Sequence, residues 1–103
     1  MIDYRLLSVA DDEMSEAAVF YETRGAGLGI DFLDDVQQSI DRLRVHAETG
    51  VEVGGGLRST LLHRFPFSLI YALESDGILI ISIAHHRRRL VTGALAVNDN
   101  LPQ

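Results

Sequence analysis

The chain has 103 residues and 11.4 kDa, room for one domain with its own core and no second one. It has no cysteine, and all nine basic residues are arginine, so disulfide frameworks, thiolate metal sites, cysteine nucleophiles and lysine amine chemistry are excluded. A formal net charge of −6 argues against a protein that binds nucleic acid through a basic surface.

Residues 2–7 read as a strand, with Ile2, Tyr4 and Leu6 on one face. Ser8 followed by Asp11 fits a capping box, and a helix runs from about Val9 to Arg24. Its apolar stripe is Ala10, Met14, Ala17, Ala18 and Tyr21. Asp11, Asp12 and Glu13 fall in the first turn, where the helix dipole favours negative charge. Gly25-Ala26-Gly27 ends this helix and turns the chain. A second helix spans about Leu28 to Ala47. Leu28, Phe32, Val36, Ile40, Leu43 and Ala47 share one side, and Asp34, Asp35, Gln38, Asp41 and Arg42 form the polar face. Two amphipathic helices joined by a short glycine turn make a helical hairpin, which must bury its stripes against a sheet.

Residues 48–56 read as a loop, because Gly54-Gly55-Gly56 opposes regular structure. The glycine run lacks the Lys-Ser/Thr and the helix start of a phosphate-binding loop. Three strands follow: Leu57 to His63, Phe67 to Glu74 and Gly77 to His85. Pro66 separates the first two. Asp76-Gly77 closes a hairpin between the last two. The last strand is apolar on both faces over Ile78 to Ala84, which places it centrally and under cover on both sides. The order is thus β-α-α-β-β-β. It implies an α+β domain with the helical hairpin on one face of a small, curved, mostly antiparallel sheet. The first strand is expected beside the last, and the opposite face is expected to be partly open, a common mark of a binding surface.

The N-terminus has no signal-peptide apolar region, and no stretch is long enough to span a bilayer, so a cytoplasmic location with no membrane partner is expected. Charge is uneven along the chain. Residues 1–56 hold four Arg against twelve acids, a balance of −8, and residues 57–103 hold five Arg against three acids, a balance of +2. Acids on a helix face are ordinarily solvated.

Five local strings occur in one order: Phe20-Tyr21-Glu22; Gly27-Leu28-Gly29 with Phe32-Leu33-Asp34-Asp35-Val36; Gly54-Gly55-Gly56-Leu57-Arg58; Arg64-Phe65-Pro66-Phe67-Ser68-Leu69-Ile70-Tyr71; and Ala84-His85-His86-Arg87-Arg88-Arg89. Over residues 2–89 the chain resembles the RelE/ParE toxins of type II toxin-antitoxin systems, and most of all the ParE, or plasmid-stabilisation, branch. The resemblance implies a toxin domain over 1–89, an atypical tail over 90–103, and a cognate antitoxin that wraps and neutralises the protein. Such an antitoxin folds as it binds. Met14, Tyr21, Phe32, Val36 and Phe67 are the residues expected at that interface. Many members of the branch continue the arginine string with Pro-Gly-Tyr-Trp, where this chain has Leu90-Val91-Thr92-Gly93.

The resemblance leaves three functions open. A ParE-like toxin binds DNA gyrase, a protein target, through a surface in which arginines are natural hot spots. Arg58, Arg64, Arg87, Arg88 and Arg89 are the candidates, and this mode needs no catalytic group. A RelE-like toxin cuts messenger RNA on the ribosome with general acid/base groups and cations. Arg64, His85, His86 and Arg87, with Tyr71, would supply them, but a lysine-free chain at −6 suits a ribosomal RNA surface poorly. The replaced C-terminal string motivates the third function, an inactive relative retained as an interaction protein. No cofactor is expected. No metal is expected either, since the adjacent His85 and His86 point to opposite faces of a strand.

Overall fold

A computed structural model of the protein describes residues 1–86; Arg87, Arg88 and Arg89 and the tail 90–103, singled out above, lie outside the described residues. The elements are β1 (Asp3–Leu6), α1 (Ser8–Arg24), α2 (Leu28–Val45), β2 (Val51–Gly54), β3 (Leu57–Leu61), β4 (Phe67–Glu74) and β5 (Gly77–His85). The strands form one sheet in the order β1-β5-β4-β3-β2. The helical hairpin carries the chain from one edge of the sheet to the other, and three consecutive hairpins walk it back. β1 therefore pairs with β5 in parallel while every other pairing is antiparallel. The α+β architecture and the place of the first strand agree with the sequence expectation.

The core lies between the hairpin and one face of the sheet. α2 contributes Phe32, Val36, Ile40 and Leu43, all at most 2% exposed. They meet Leu69 and Tyr71 of β4 and Ile78, Ile80 and Ile83 of β5, while Ala10, Met14, Ala17, Ala18 and Tyr21 of α1 close the side. The helices touch where α2 begins. A Cβ on Gly29 would stand 2.6 Å from the Ala18 carbonyl oxygen, so only glycine permits this approach.

Three sequence expectations change, and a fourth acquires a structural reason. First, residues 48–56 are not all loop. β2 pairs with β3, and Gly54, Gly55 and Gly56 take φ of +95°, +64° and +77° to close the hairpin. The glycines supply the left-handed turn that a tight hairpin demands, so they make this strand pair possible. Second, Ser8 lies inside α1, Leu7 occupies the N-cap, and no side-chain cap forms. Third, Asp35 does not lie on the solvent face of α2 but is buried.

Fourth, β5 reads as apolar on both faces for a local reason. Its register with β4 slips by one between Ile70↔Ser82 and Tyr71↔Ile80, which leaves Ile81 as an extra residue. A bulge of this kind reverses the alternation. The core face takes Ile78 and Ile80 and then Ile83. On the opposite face Ser68 and Ile70 are buried, and Ala72 and Leu79 are half-buried. Past Ile80, where β1 has ended, Glu13 of α1 serves β5: its Oε1 accepts from the Ile83 N–H (2.9 Å) and the Ser82 hydroxyl (3.0 Å).

Candidate functional site

The β3–β4 connection, residues 62–66, turns the chain while its backbone N–H groups lose ladder partners. α2 answers with a carboxylate. Asp35 Oδ2 accepts from the N–H groups of Arg64 (2.8 Å) and Phe65 (3.0 Å), and Oδ1 accepts from that of His63 (3.3 Å). Asp35 is 2% exposed. Burying a carboxylate is tolerable only where donors meet its charge, and three successive N–H groups form such a concave donor set. One helical turn earlier, Asp31 lies 3.6 Å from Arg64 Nη2. The Arg64 guanidinium also sits 5.8 Å from the Phe65 ring centroid. Arg64 is thus held by α2 at its backbone and at its head group, while its side chain stays 60% exposed.

The same turn reaches the end of β5. The Pro66 carbonyl accepts from the His86 N–H (2.9 Å), and Phe67 pairs with His85, their ring centroids 5.0 Å apart. His86 Nε2 is buried and has no hydrogen-bond partner among the described residues. The turn that carries Arg64 therefore sits beside His85 and His86, at the point where the chain passes into the arginine run. Behind it lies an aromatic cluster. Tyr21 packs against Phe65 (4.7 Å) and Phe32 (5.6 Å), and Phe32 against Phe65 (5.4 Å) and Phe67 (4.9 Å). Three of these four pairs meet edge-on, and the cluster gives the turn a stiff base. Burial raises the Tyr21 phenol above its ordinary pKa.

Arg58 lies apart, at the opposite end of β3. Its Nη1 donates to the carbonyls of Glu48 (3.0 Å) and Gly50 (2.9 Å), and its Nη2 donates to Glu52 Oε2 (3.2 Å). The Tyr71 hydroxyl completes this corner by donating to the Ala47 carbonyl (2.8 Å) and accepting from the Gly50 N–H (3.0 Å). Burial raises the Tyr71 phenol, against smaller lowering effects of the Gly50 N–H and of Arg58. Arg58 is thus engaged in holding the α2–β2 connection, and Tyr71 in fastening it to the sheet.

Of the residues expected at a partner interface, Phe32, Val36 and Phe67 lie in the core, while Met14 and Tyr21 are half-buried at its margin. The hairpin exposes other apolar side chains: Val19 and Phe20 on α1, Ile30 and Leu33 on α2. Sequence reasoning missed them because none falls on the helical stripe that it followed. It also missed Asp35, although a signal was present: Asp35 and Ser39 flank Phe32, Val36 and Ile40 within the buried arc, and a carboxylate in that arc needs donors from elsewhere. At the head of the hairpin, Glu22 accepts from the N–H groups of Gly27 and Gly29 (both 3.0 Å), which lowers its pKa. No group of three or more metal-ligating side chains occurs among the described residues, and none of their helices is long and apolar enough to cross a membrane.

No family model and no curated protein matches this sequence. A solved chain does match the fold. It comes from a structure described as the chromosomal ParDE TA system from P. aeruginosa, and it is similar at 20% identity with a TM-score of 0.72, over 82% of this chain and 96% of that one. At this identity the likeness carries the fold: two helices on an open five-stranded sheet is the ParE-like arrangement.

Proposed function

We propose that this protein is the toxin of a type II toxin-antitoxin pair, of the ParE kind, and that it acts in the cytoplasm by binding a protein target, DNA gyrase. The carrying observation is the coincidence of two independent likenesses. Five sequence strings occur in family order, and the fold superposes on nearly the whole of a chain from a ParDE system. Arg64, exposed and held at both ends, is the described residue best placed to meet a target, and Arg87, Arg88 and Arg89 are the further candidates, next in sequence after His86. Arginine in a preset geometry is a favoured hot-spot residue.

The antitoxin would dock on the hairpin, where Val19, Phe20, Ile30 and Leu33 offer apolar surface beside half-buried Met14 and Tyr21. Exposed acids on the same helices favour a partner segment that carries Arg or Lys.

Expression without antitoxin is expected to arrest growth, and the purified protein is expected to inhibit gyrase supercoiling at micromolar concentration. Arrest without gyrase inhibition would move the target elsewhere. New transcript ends mapped by primer extension would replace this reading with ribosome-dependent cleavage, and normal growth would leave an inactive interaction protein.

A further inference from the structure

We infer that Asp35 and Asp31 are a positioning pair for Arg64, fixing the backbone and the guanidinium of one target-contacting residue from two successive turns of α2. This rests on the reading of Arg64 given above and adds residues that neither the sequence strings nor the fold likeness assigns to recognition. Asp35 takes the N–H groups of His63, Arg64 and Phe65, so it sets the path of the turn. Asp31, four residues earlier, lies 3.6 Å from the head group of the same Arg64.

A long side chain ordinarily loses rotamer freedom when it binds a partner, and that loss weakens binding. Here two helix-borne contacts and the Phe65 ring restrict Arg64 beforehand. The Asp31 contact is exposed and weak enough for a target carboxylate to displace it. The Asp35 contact is buried and permanent. The two carboxylates therefore act at different points, since Asp35 fixes where Arg64 begins and Asp31 fixes where its charge waits. Through the Pro66 carbonyl and the His86 N–H, the same turn also holds His86, the last described residue.

Asp35→Asn separates this role from general stability. A carboxamide oxygen can serve two of the three N–H groups, but its NH2 then confronts the third, a donor against a donor. Amide exchange at 63–65 is expected to quicken roughly ten- to a hundredfold, the scale of one lost charge-assisted hydrogen bond. It should do so beyond any change in Ile40→Val, a core variant that removes no hydrogen bond to the turn. Unchanged exchange at 63–65 overturns the inference whatever the target proves to be.

The functional arm is a supercoiling-inhibition titration of wild type, Arg64→Ala, Asp31→Asn, Asp35→Asn and the double variants with Arg64→Ala, all at a temperature where each is folded. Asp31→Asn and Asp35→Asn are each expected to weaken inhibition several-fold, and each double variant to be no weaker than Arg64→Ala alone. Additive losses, or losses matched by Ile40→Val, overturn positioning through Arg64. Full inhibition by Arg64→Ala overturns the role of Arg64 itself and the inference with it. A wild-type protein that leaves gyrase untouched sinks the target named above, and the exchange arm then decides the inference alone.

Discussion

The connections before β2 and after β3 are held in opposite ways. The one before β2 is fastened by donors: Arg58 reaches the carbonyls of Glu48 and Gly50, and Tyr71 that of Ala47. The one after β3 is fastened by an acceptor, since Asp35 collects three N–H groups. The difference matters because the alternatives are unequal. A carbonyl that loses a partner at a half-open corner still finds water, whereas three converging N–H groups around a buried site do not. The second connection should therefore be the more fragile, and it is the one that carries Arg64.

Asp35→Ala is the sharpest way to break this contrast. Leaving the turn's donors unmatched is expected to cost about 3 kcal/mol, read as a shifted denaturation midpoint with unchanged slope. A cost below about 1 kcal/mol would mean that water replaces the carboxylate and that the two connections are equivalent. At the other corner, a Cβ added at Gly50 would overlap the Tyr71 hydroxyl. Gly50→Ala should lose about 2 kcal/mol, because both the backbone and the ring are fixed. Tyr71→Phe removes one donated and one accepted hydrogen bond and should cost about 1 kcal/mol by the same midpoint measurement.

Glu22 sharpens the comparison at a third place, the α1–α2 turn, because here the carboxylate that accepts the N–H groups is itself exposed. Its folded pKa is lowered, chiefly by the Gly27 N–H and then by that of Gly29. The stability it contributes is therefore fully present above the unfolded glutamate value of about 4.3 and is lost as pH falls through the folded value. The melting-temperature gap between wild type and Glu22→Gln should be constant near neutrality and close below about pH 4. A gap that persists in acid would show that the carboxylate charge is irrelevant. The smallest effect belongs to the exposed Arg5–Glu74 pair, at 3.3 Å. Glu74→Gln should change stability by less than about 0.5 kcal/mol and lose even that at high salt.

Much of the fold was legible in the sequence because its signals are local. The stripes Ala10-Met14-Ala17-Tyr21 and Phe32-Val36-Ile40-Leu43 gave both helices, and Asp76-Gly77 gave the last hairpin. The two longest strands end at the residues that periodicity suggests. β2 was not legible. It is four residues long and wholly exposed, so its Val51-Glu52-Val53 alternation is too short to mark a strand, and its glycines read as a breaker when they are in fact its turn. The bulge at Ile81 was hidden for a related reason: a reversal of alternation within an apolar run looks like a strand covered on both faces.

The candidate site divides along the same line. The arginines and histidines could be named from their clustering in sequence. That Arg58 is tied into a loop while Arg64 is presented beside His85 and His86 depends on where β3 begins and ends.

By itself, the sequence determined the composition limits, the two helices, four of the five strands and the likeness to a toxin family, because periodicity, turn chemistry and short strings act between near neighbours. Only the tertiary structure decided what three of the acids do. Glu13, Glu22 and Asp35 look like solvated helix charges, yet each accepts one or more backbone N–H groups from a segment that the chain itself brings near. A donor's orphaned state exists only after folding has removed its water and its ladder partner, so no periodicity in the sequence records which carboxylate will meet it.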